Sequence, residues 1–309
     1  MSNLHAELVA QPGSRADFAR LARDWLTGAR RVLFPDIDRR LGRGGTFAAE
    51  PPADDDAPWG PPGGAWARLR VQQQPHTLGG TVMPYSARMG RRMLDGLERS
   101  YPFHVSLELM PLGPDGRPVS PGPGALIAVH RSTTHPRWAR FEAEAPPDLA
   151  GWRGSAPVQL AWAGFLKEQA VAAGAHYGHV TDDANIHATA LERAILGVAA
   201  EPPAVPHCRE VLRGYSWVTV CAAELAARLG GGAALAASGC FDEVSVLPGG
   251  QVFLRATPAL EDYDGPAVQR VFGVLAPVLL PGRPDPAAVE GTLARIVMDA
   301  DAAELGCPE

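Results

Sequence analysis

The chain has 309 residues, of which 46% are hydrophobic and 20% are charged, and its formal net charge at pH 7 is −6. This composition excludes an intrinsically disordered protein, and the length suffices for one large domain or two smaller ones. No run of about 18 apolar residues is present, which excludes a membrane-spanning helix. The acidic balance argues against a nucleic-acid-binding protein, because such a protein needs a clustered face of Lys and Arg.

The start of the chain does not resemble a secretory signal, because it contains His5 and Glu7 and lacks a basic segment followed by an apolar core. Four cysteines are present, and no two of them are spaced as in a Cys-x-x-Cys motif. They are Cys208, Cys221, Cys240 and Cys307. We therefore expect a cytoplasmic protein with reduced, mostly buried thiols and without a disulfide bond.

The first half begins with an amphipathic helix predicted over residues 14–32. Ser14 followed by Asp17 resembles a capping box, and apolar residues then repeat at helical spacing. A second predicted helix, residues 86–100, has four apolar residues on its inner face: Met89, Met93, Leu94 and Leu97. The other predicted elements of this half are a loop over residues 42–64 and strands over residues 66–71, 103–110, 125–130 and 137–144.

The second half contains the same kinds of element. Helices are predicted over residues 158–173, 188–196, 222–229 and 265–279. Strands are predicted over residues 175–180, 214–220, 241–246 and 252–256, the last two forming a hairpin. Three consecutive glycines, Gly230 to Gly232, are expected to close the third of these helices.

The order of the elements predicts the fold class. Hairpins alternating with long helices favour an α+β fold, with an antiparallel or mixed sheet and helices packed on one side. A similar order of elements appears twice, which suggests two similar halves, residues 1–150 and 151–309; whether they form one compact unit is left open. The sequence contains neither the Gly-x-Gly-x-x-Gly nor the Gly-x-x-x-x-Gly-Lys-Ser/Thr motif of nucleotide-binding proteins.

The densest polar cluster consists of His176, His179, Asp182, Asp183 and His187. Imidazole and carboxylate groups bind zinc or iron well, so these residues are a candidate metal site. If residues 175–180 form a strand, however, His176 and His179 point to opposite faces and cannot share one ion. The alternative is a loop with ordinary polar residues, and we expect no cofactor.

Cys221 is the second candidate for chemistry, because it lies where a predicted strand meets a predicted helix. A thiol at a helix N-terminus can have a lowered pKa, and His207 or His187 would have to serve as the general base. The alternative is a buried cysteine at the end of a strand. An enzyme of a small-molecule pathway would use either Cys221 or the His176–His187 segment.

Acidic and aromatic residues in loops offer a third kind of site, a protein-binding surface. Trp59 and Trp152 lie among prolines and glycines and are the tryptophans expected at the surface. The acidic run from Glu261 to Asp264 could also cap a helix. The expected partner contacts are Asp54, Asp55, Asp56, Trp59, Asp262 and Asp264.

One segment resembles a known family. Residues 213–220 read Arg-Gly-Tyr-Ser-Trp-Val-Thr-Val, and they are followed by Glu224-Leu225 and by Arg-Leu-Gly-Gly at residues 228–231. Together with the upstream Ala-His-Tyr-Gly at residues 175–178, this pattern resembles the type VI immunity-like family of bacterial proteins. The resemblance covers about residues 158–280.

The resemblance implies a cytoplasmic, non-enzymatic protein that binds a partner toxin and blocks its active site. An acidic surface would suit a basic toxin through electrostatic steering. We therefore expect a basic protein toxin as partner, with neither nucleic acid nor membrane involved. The small-molecule enzyme is the alternative, and a structural or regulatory module of a larger complex is a third hypothesis.

Overall fold

The structure, a computed structural model, describes residues 2–43, 48, 50–52, 57–75, 80–120, 122–183, 188–197 and 205–305. The chain divides into two compact units. The first unit is Pro12–Gly151, and the second unit combines Met1–Gln11 with Trp152–Glu309. The second unit therefore includes the start of the chain, whereas the sequence pattern had suggested two consecutive halves.

The start of the chain belongs to the second unit because it forms a strand there, β1 (Leu4–Ala10). This strand was not predicted from the sequence. It pairs antiparallel with the strand Tyr177–Thr181, with His5 opposite Thr181 and Val9 opposite Tyr177. All seven of its residues are buried. Its hydrogen bonds and its buried side chains both bind it to the second unit.

The described part of the first unit contains five strands and four helices. The strands are β2 (Ala65–Gln72), β3 (Thr81–Pro84), β4 (His104–Pro111), β5 (Ala125–Arg131) and β6 (Ala139–Ala145). The helices are α1 (Arg15–Leu33), α2 (Pro35–Leu41), α3 (Ala87–Ser100) and α4 (Pro147–Ala150). The strand order is β3-β2-β4-β5-β6, and every neighbouring pair is antiparallel.

Helix α1 forms as its sequence pattern predicts. The Ser14 side chain accepts a hydrogen bond from the backbone N–H of Asp17 at 3.1 Å, which satisfies one free donor at the N-terminus of the helix. Phe18, Leu21 and Trp25 are buried on its inner face. This face packs on β5 and β6, and α2 packs on β2 and β4.

The second unit completes its sheet with β7 (Tyr177–Thr181), β8 (Val218–Cys221), β9 (Glu243–Val246) and β10 (Val252–Arg255). The strand order is β1-β7-β8-β10-β9, again antiparallel throughout. Its helices are α5 (Ala156–Ala173), α6 (Ala190–Leu196), α7 (Ala223–Arg228), α8 (Gly231–Ala237), α9 (Gly265–Leu275) and α10 (Ala302–Leu305). Helix α5 packs on β1, β7 and β8.

The glycine run after α7 differs from its prediction. Gly230 has a φ of +83° and separates α7 from a new helix, but Gly231 and Gly232 belong to that helix, α8, rather than to a closing turn. The alanines that follow have the highest intrinsic helix propensity, and this propensity outweighs the cost of the two glycines.

The α+β prediction with an antiparallel sheet is confirmed. Within the residues that the structure describes, each unit has five strands, but the order of these strands along the chain differs. The antiparallel pair β2–β3 stands at one end of the strand order and comes before the other strands of the first unit in the sequence. The pair β9–β10 stands at the other end and comes after the other strands of the second unit. Within the described ranges, no helix has the length and apolarity needed to cross a bilayer.

Candidate functional site

Two of the three histidines in the predicted metal cluster, His176 and His179, are not brought together. His179 is buried in β7, whereas His176 precedes that strand and is half-buried. Residues 177 and 179 share a face, and Nδ1 of His179 lies 2.8 Å from the Tyr177 hydroxyl. Nε2 of His179 lies 3.1 Å from Nδ1 of His5 on β1. Both ring nitrogens of His179 are thus engaged within the protein.

The two aspartates of this cluster are held by Arg295. The Arg295 guanidinium donates to both carboxylate oxygens of Asp182, at 2.7 and 3.0 Å. Asp183 accepts a hydrogen bond from the Arg295 backbone N–H at 2.8 Å and another from the Thr181 hydroxyl. Burial raises the pKa of Asp183, and these two hydrogen bonds only partly offset it.

His187, the last residue of the cluster, lies outside the described residues. In the part of the chain that the structure describes, no group of three or more His, Cys, Asp or Glu side chains is arranged to hold a metal ion. Asp182 and Asp183 act instead as internal anchors for the segment around Arg295.

A second buried polar network, centred on Arg213, was missed by the sequence analysis. The Arg213 side chain is fully buried and contacts the carboxylate of Glu7 on β1. It also donates to both oxygens of Glu192 on α6, at 2.8 and 2.9 Å. Its guanidinium carbon lies 5.0 Å from the centre of the Tyr177 ring. Burial alone would lower the pKa of Arg213, but the two carboxylates raise it, so the guanidinium stays charged.

Glu192 also takes part in a capping box at the start of α6. The Thr189 hydroxyl accepts from the Glu192 backbone N–H, and the Glu192 carboxylate accepts from the Thr189 backbone N–H at 2.9 Å. The Thr189 hydroxyl donates to the Arg213 carbonyl at 2.8 Å. The Thr-x-x-Glu spacing was visible in the sequence and predicts such a cap. Because Arg213, Glu7 and Glu192 are at most 2% exposed, this network joins segments of the second unit and does not present a surface to a partner.

Cys221 ends β8 immediately before α7, as the sequence predicted, but its environment does not favour catalysis. The side chain is fully buried. Burial raises the pKa of the Cys221 thiol to about 12, so the thiol is protonated at neutral pH. A nucleophilic cysteine needs the opposite shift and access to a substrate. The structure therefore favours the alternative of a buried cysteine at a strand end.

The acidic residues proposed as partner contacts are only partly described. Asp54, Asp55 and Asp56 lie outside the described residues. Asp262 and Asp264 are exposed in the second unit, where Asp264 precedes α9 without forming a side-chain cap. Their side chains are accessible to a partner.

Glu261, between Leu260 and Asp262, has a structural role. Its carboxylate accepts hydrogen bonds from the backbone N–H of Gly154 at 2.8 Å and from the side chain of the fully buried Gln159 at 2.7 Å. Burial would raise its pKa, but these hydrogen bonds outweigh that effect and lower the pKa of Glu261. The acidic run thus contains one anchored carboxylate with accessible aspartates on either side of Tyr263.

The two tryptophans expected at the surface differ from each other. Trp59 is half-buried in the first unit, where its ring meets that of Trp66 edge to face at 5.2 Å between centroids. Trp152 is buried, so its predicted exposure was wrong. Its backbone carbonyl accepts a hydrogen bond from the Gln159 side chain at 2.9 Å, which links Trp152 to helix α5 of the second unit.

The first unit contains a cavity of about 240 Å³ between α1 and α3, above β2 and β4. Its lining is mostly apolar, with Tyr85 and three arginines. The lining residues are Leu26, Thr27, Arg30, Arg31, Leu69, Tyr85, Ala87, Gly90, Arg91, Met93, Leu94 and Leu107. Helix α3 was predicted to bury its apolar face, but Met93 and Leu94 are only half-buried. The gap beneath them is part of this cavity.

The comparisons with known proteins give one structural neighbour. No protein-family model and no curated protein matches the chain. The fold is similar to that of the Pseudomonas aeruginosa T6SS protein PA0821, with a TM-score of 0.52 and 14% sequence identity. The similarity covers 98% of this chain and 84% of that protein. At this identity, the likeness shows a shared fold over nearly the whole chain.

Proposed function

We propose that the chain is an immunity-type protein that binds a cognate bacterial toxin and neutralises it by occluding the toxin's active site. The observation that carries this proposal is the fold likeness to a protein described as a T6SS protein, which extends over 98% of this chain. It agrees with the resemblance of residues 158–280 to the type VI immunity-like family.

The charge of the chain supports a basic toxin as partner. The formal net charge is −6, and Asp262 and Asp264 are exposed in the second unit. Exposed carboxylates attract a basic protein over several ångströms and speed its association, with an effect that salt weakens. Trp59 and Asp54, Asp55 and Asp56 complete the proposed contact set, as residues of a type that supplies aromatic or acidic contacts.

The enzyme alternative has less support from the site geometry. Cys221 is buried with a raised pKa, and Asp182 and Asp183 are bound to Arg295. An active site requires such groups to converge on an accessible pocket. Burial and internal pairing of these residues favour a binding protein.

A co-expression assay tests the proposal. The probe is the protein encoded beside this chain's gene, produced in a bacterial host with and without the chain. We expect the chain to restore growth and to bind the purified toxin with a measurable dissociation constant. Growth arrest that persists, with no binding between the purified proteins, would show that this pair is not a toxin and its immunity protein.

A charge-reversal variant tests the contact set. Asp262→Lys combined with Asp264→Lys should slow association with the toxin about tenfold or more at low salt, because the steering charges change sign. Glu168→Lys is the matched control, since Glu168 is an exposed acid of α5 in the same unit. Equal association rates for both variants would remove the two aspartates from the proposed contact surface.

A further inference from the structure

We infer that the cavity between α1 and α3 in the first unit is a binding site for a small carboxylate with an apolar body, such as a medium-chain carboxylic acid. None of the residues that line this cavity is among the proposed toxin contacts, and the inference does not depend on those contacts. It rests on the volume of the cavity, its apolar lining and the charge of the residues that border it.

The volume and the apolar lining favour a ring or a short chain. The cavity measures about 240 Å³, and a dry apolar cavity on the order of 150 Å³ is large enough to hold benzene. Leu69 of β2 and Leu107 of β4 are almost completely buried and supply part of the lining. Met93 and Leu94 of α3 are half-buried beside it. A body of six to eight carbons would cover apolar surface that the fold leaves open.

Tyr85 and Gly90 shape one wall of this cavity. A Cβ atom at Gly90 would lie 2.9 Å from Cε2 of Tyr85, so the absence of a side chain at position 90 lets the ring lie against α3. The Tyr85 hydroxyl accepts a hydrogen bond from Arg30 of α1. The tyrosine therefore contacts both helices that border the cavity.

The charge of the lining favours an anion. Of the residues that the structure describes, three arginines and no acidic residue line the cavity. Arg30 is already neutralised, because it forms a salt bridge with Asp38. Arg31 of α1 and Arg91 of α3 are exposed, and among the described residues neither forms a salt bridge. A carboxylate whose apolar body enters the cavity would supply the counter-charge for these two guanidinium groups.

Binding of octanoate to the full chain tests this inference. Isothermal titration would compare octanoate with octanamide, which has the same carbon chain without the charge, and with acetate, which has the charge without the chain. We expect saturable binding of octanoate and no saturable binding of acetate. Octanamide should bind at least about tenfold more weakly than octanoate.

Variants locate the binding. Arg31→Gln combined with Arg91→Gln should weaken octanoate binding about tenfold, because the charge-assisted contacts are lost. Arg88→Gln is the matched control, since Arg88 is an exposed arginine of α3 outside the cavity lining, and it should leave octanoate binding unchanged. All three substitutions are at exposed positions, so circular dichroism should show an unchanged fold for both variants.

Three outcomes would overturn the inference. The first is an absence of octanoate binding up to about 10 mM. The second is equal binding of octanoate and octanamide. The third is unchanged octanoate binding in the variant that combines Arg31→Gln with Arg91→Gln.

Discussion

Arg213 is a charged side chain without solvent contact, held between two carboxylates from distant parts of the chain. Glu7 and Glu192 are separated from it by 206 and 21 residues. Moving one charge out of water costs several kcal/mol, and this cost is repaid only while the opposite charges remain in contact. The two carboxylates outnumber the guanidinium, so removal of the arginine would leave both without their counter-ion.

We predict that Arg213→Met lowers the free energy of unfolding by about 3–5 kcal/mol, because two buried carboxylates lose their cation. Urea denaturation followed by circular dichroism measures the change. Arg209→Met is the control: Arg209 pairs with Glu224 at the surface, where ion pairs contribute at most about 1 kcal/mol. Similar losses for both variants would contradict the role of the buried network.

Asp183 gives a prediction about pH. Its folded-state pKa is raised by burial, so the folded protein keeps this proton at pH values where the unfolded chain has released it. The stability that this group contributes is therefore complete below a pH of about 3.9 and is lost as the pH rises through the raised pKa. In Asp183→Asn the side-chain amide does not titrate in this pH range, so this position no longer makes stability depend on pH.

We therefore expect the stability of Asp183→Asn, relative to the unmodified chain, to increase as the pH rises from about 4 towards 7. An asparagine can still accept from the Arg295 backbone N–H and donate to the Thr181 hydroxyl, so the hydrogen-bond geometry is preserved. Urea midpoints measured across this range provide the test. A stability difference that is constant with pH would show that Asp183 releases its proton at the same pH in both states.

At the scale of an element, helices α1 and α3 show how much the local spacing of apolar residues predicts about a helix. The spacing of Phe18, Leu21 and Trp25 predicts both the existence and the buried face of α1, and the structure confirms them. The same reasoning predicts α3, but Met93 and Leu94 remain half-buried. Helical spacing identifies an apolar face, whereas the amount of that face that is covered depends on the shape of the surface opposite.

We predict opposite effects for two glycines of α3. Gly96→Ala should stabilise the protein by about 0.5–1 kcal/mol, because alanine loses less conformational entropy and nothing lies within 4 Å of the added methyl group. Gly90→Ala should instead destabilise it by about 1 kcal/mol, because the methyl group collides with the Tyr85 ring and the overpacking outweighs the gain in helix propensity. Thermal unfolding of the two variants tests this, and a stabilised Gly90→Ala would show that the ring moves away at little cost.

Strand β1 illustrates the limit of local pattern for strands. Leu4, Ala6 and Leu8 alternate with His5 and Glu7, and this alternation was a signal that could have predicted the strand. It would have placed His5 and Glu7 on a solvent-facing side. The structure buries both faces, because His5 contacts His179 and Glu7 contacts Arg213. Such partners are far away in the sequence, so local spacing cannot reveal them.

At the scale of the molecule, the division into two units depends on that first strand. Met1–Gln11 groups with Trp152–Glu309 because β1 pairs with β7 and supplies Glu7 to Arg213. Loss of β1 would expose an edge of β7 and leave Arg213 with one of its two carboxylates. Among the described residues, the first unit contains five antiparallel strands and the helices α1 to α4.

We predict that deletion of Met1–Gln11 destabilises the second unit more than the first. Hydrogen exchange should show a loss of amide protection in β7 and β8, while β4 and β5 keep theirs. The Glu7→Gln variant, which keeps the strand but removes its charge, is the control and should show a smaller loss in β7. Equal loss of protection in β4 and β7 would contradict the division into these two units.

The sequence by itself determined the local properties of this protein: most of its helices and strands, its α+β class, its acidic balance and the position of Cys221 between a strand and a helix. These follow from the spacing of apolar residues and from capping and turn residues, which act over a few positions. Only the tertiary structure decided that β1 belongs to the second unit, that Arg213 lies between Glu7 and Glu192, and that a cavity opens beside α3. Each of these depends on contacts between residues far apart in the chain, and the energy of such contacts comes from burial and pairing that local sequence does not encode.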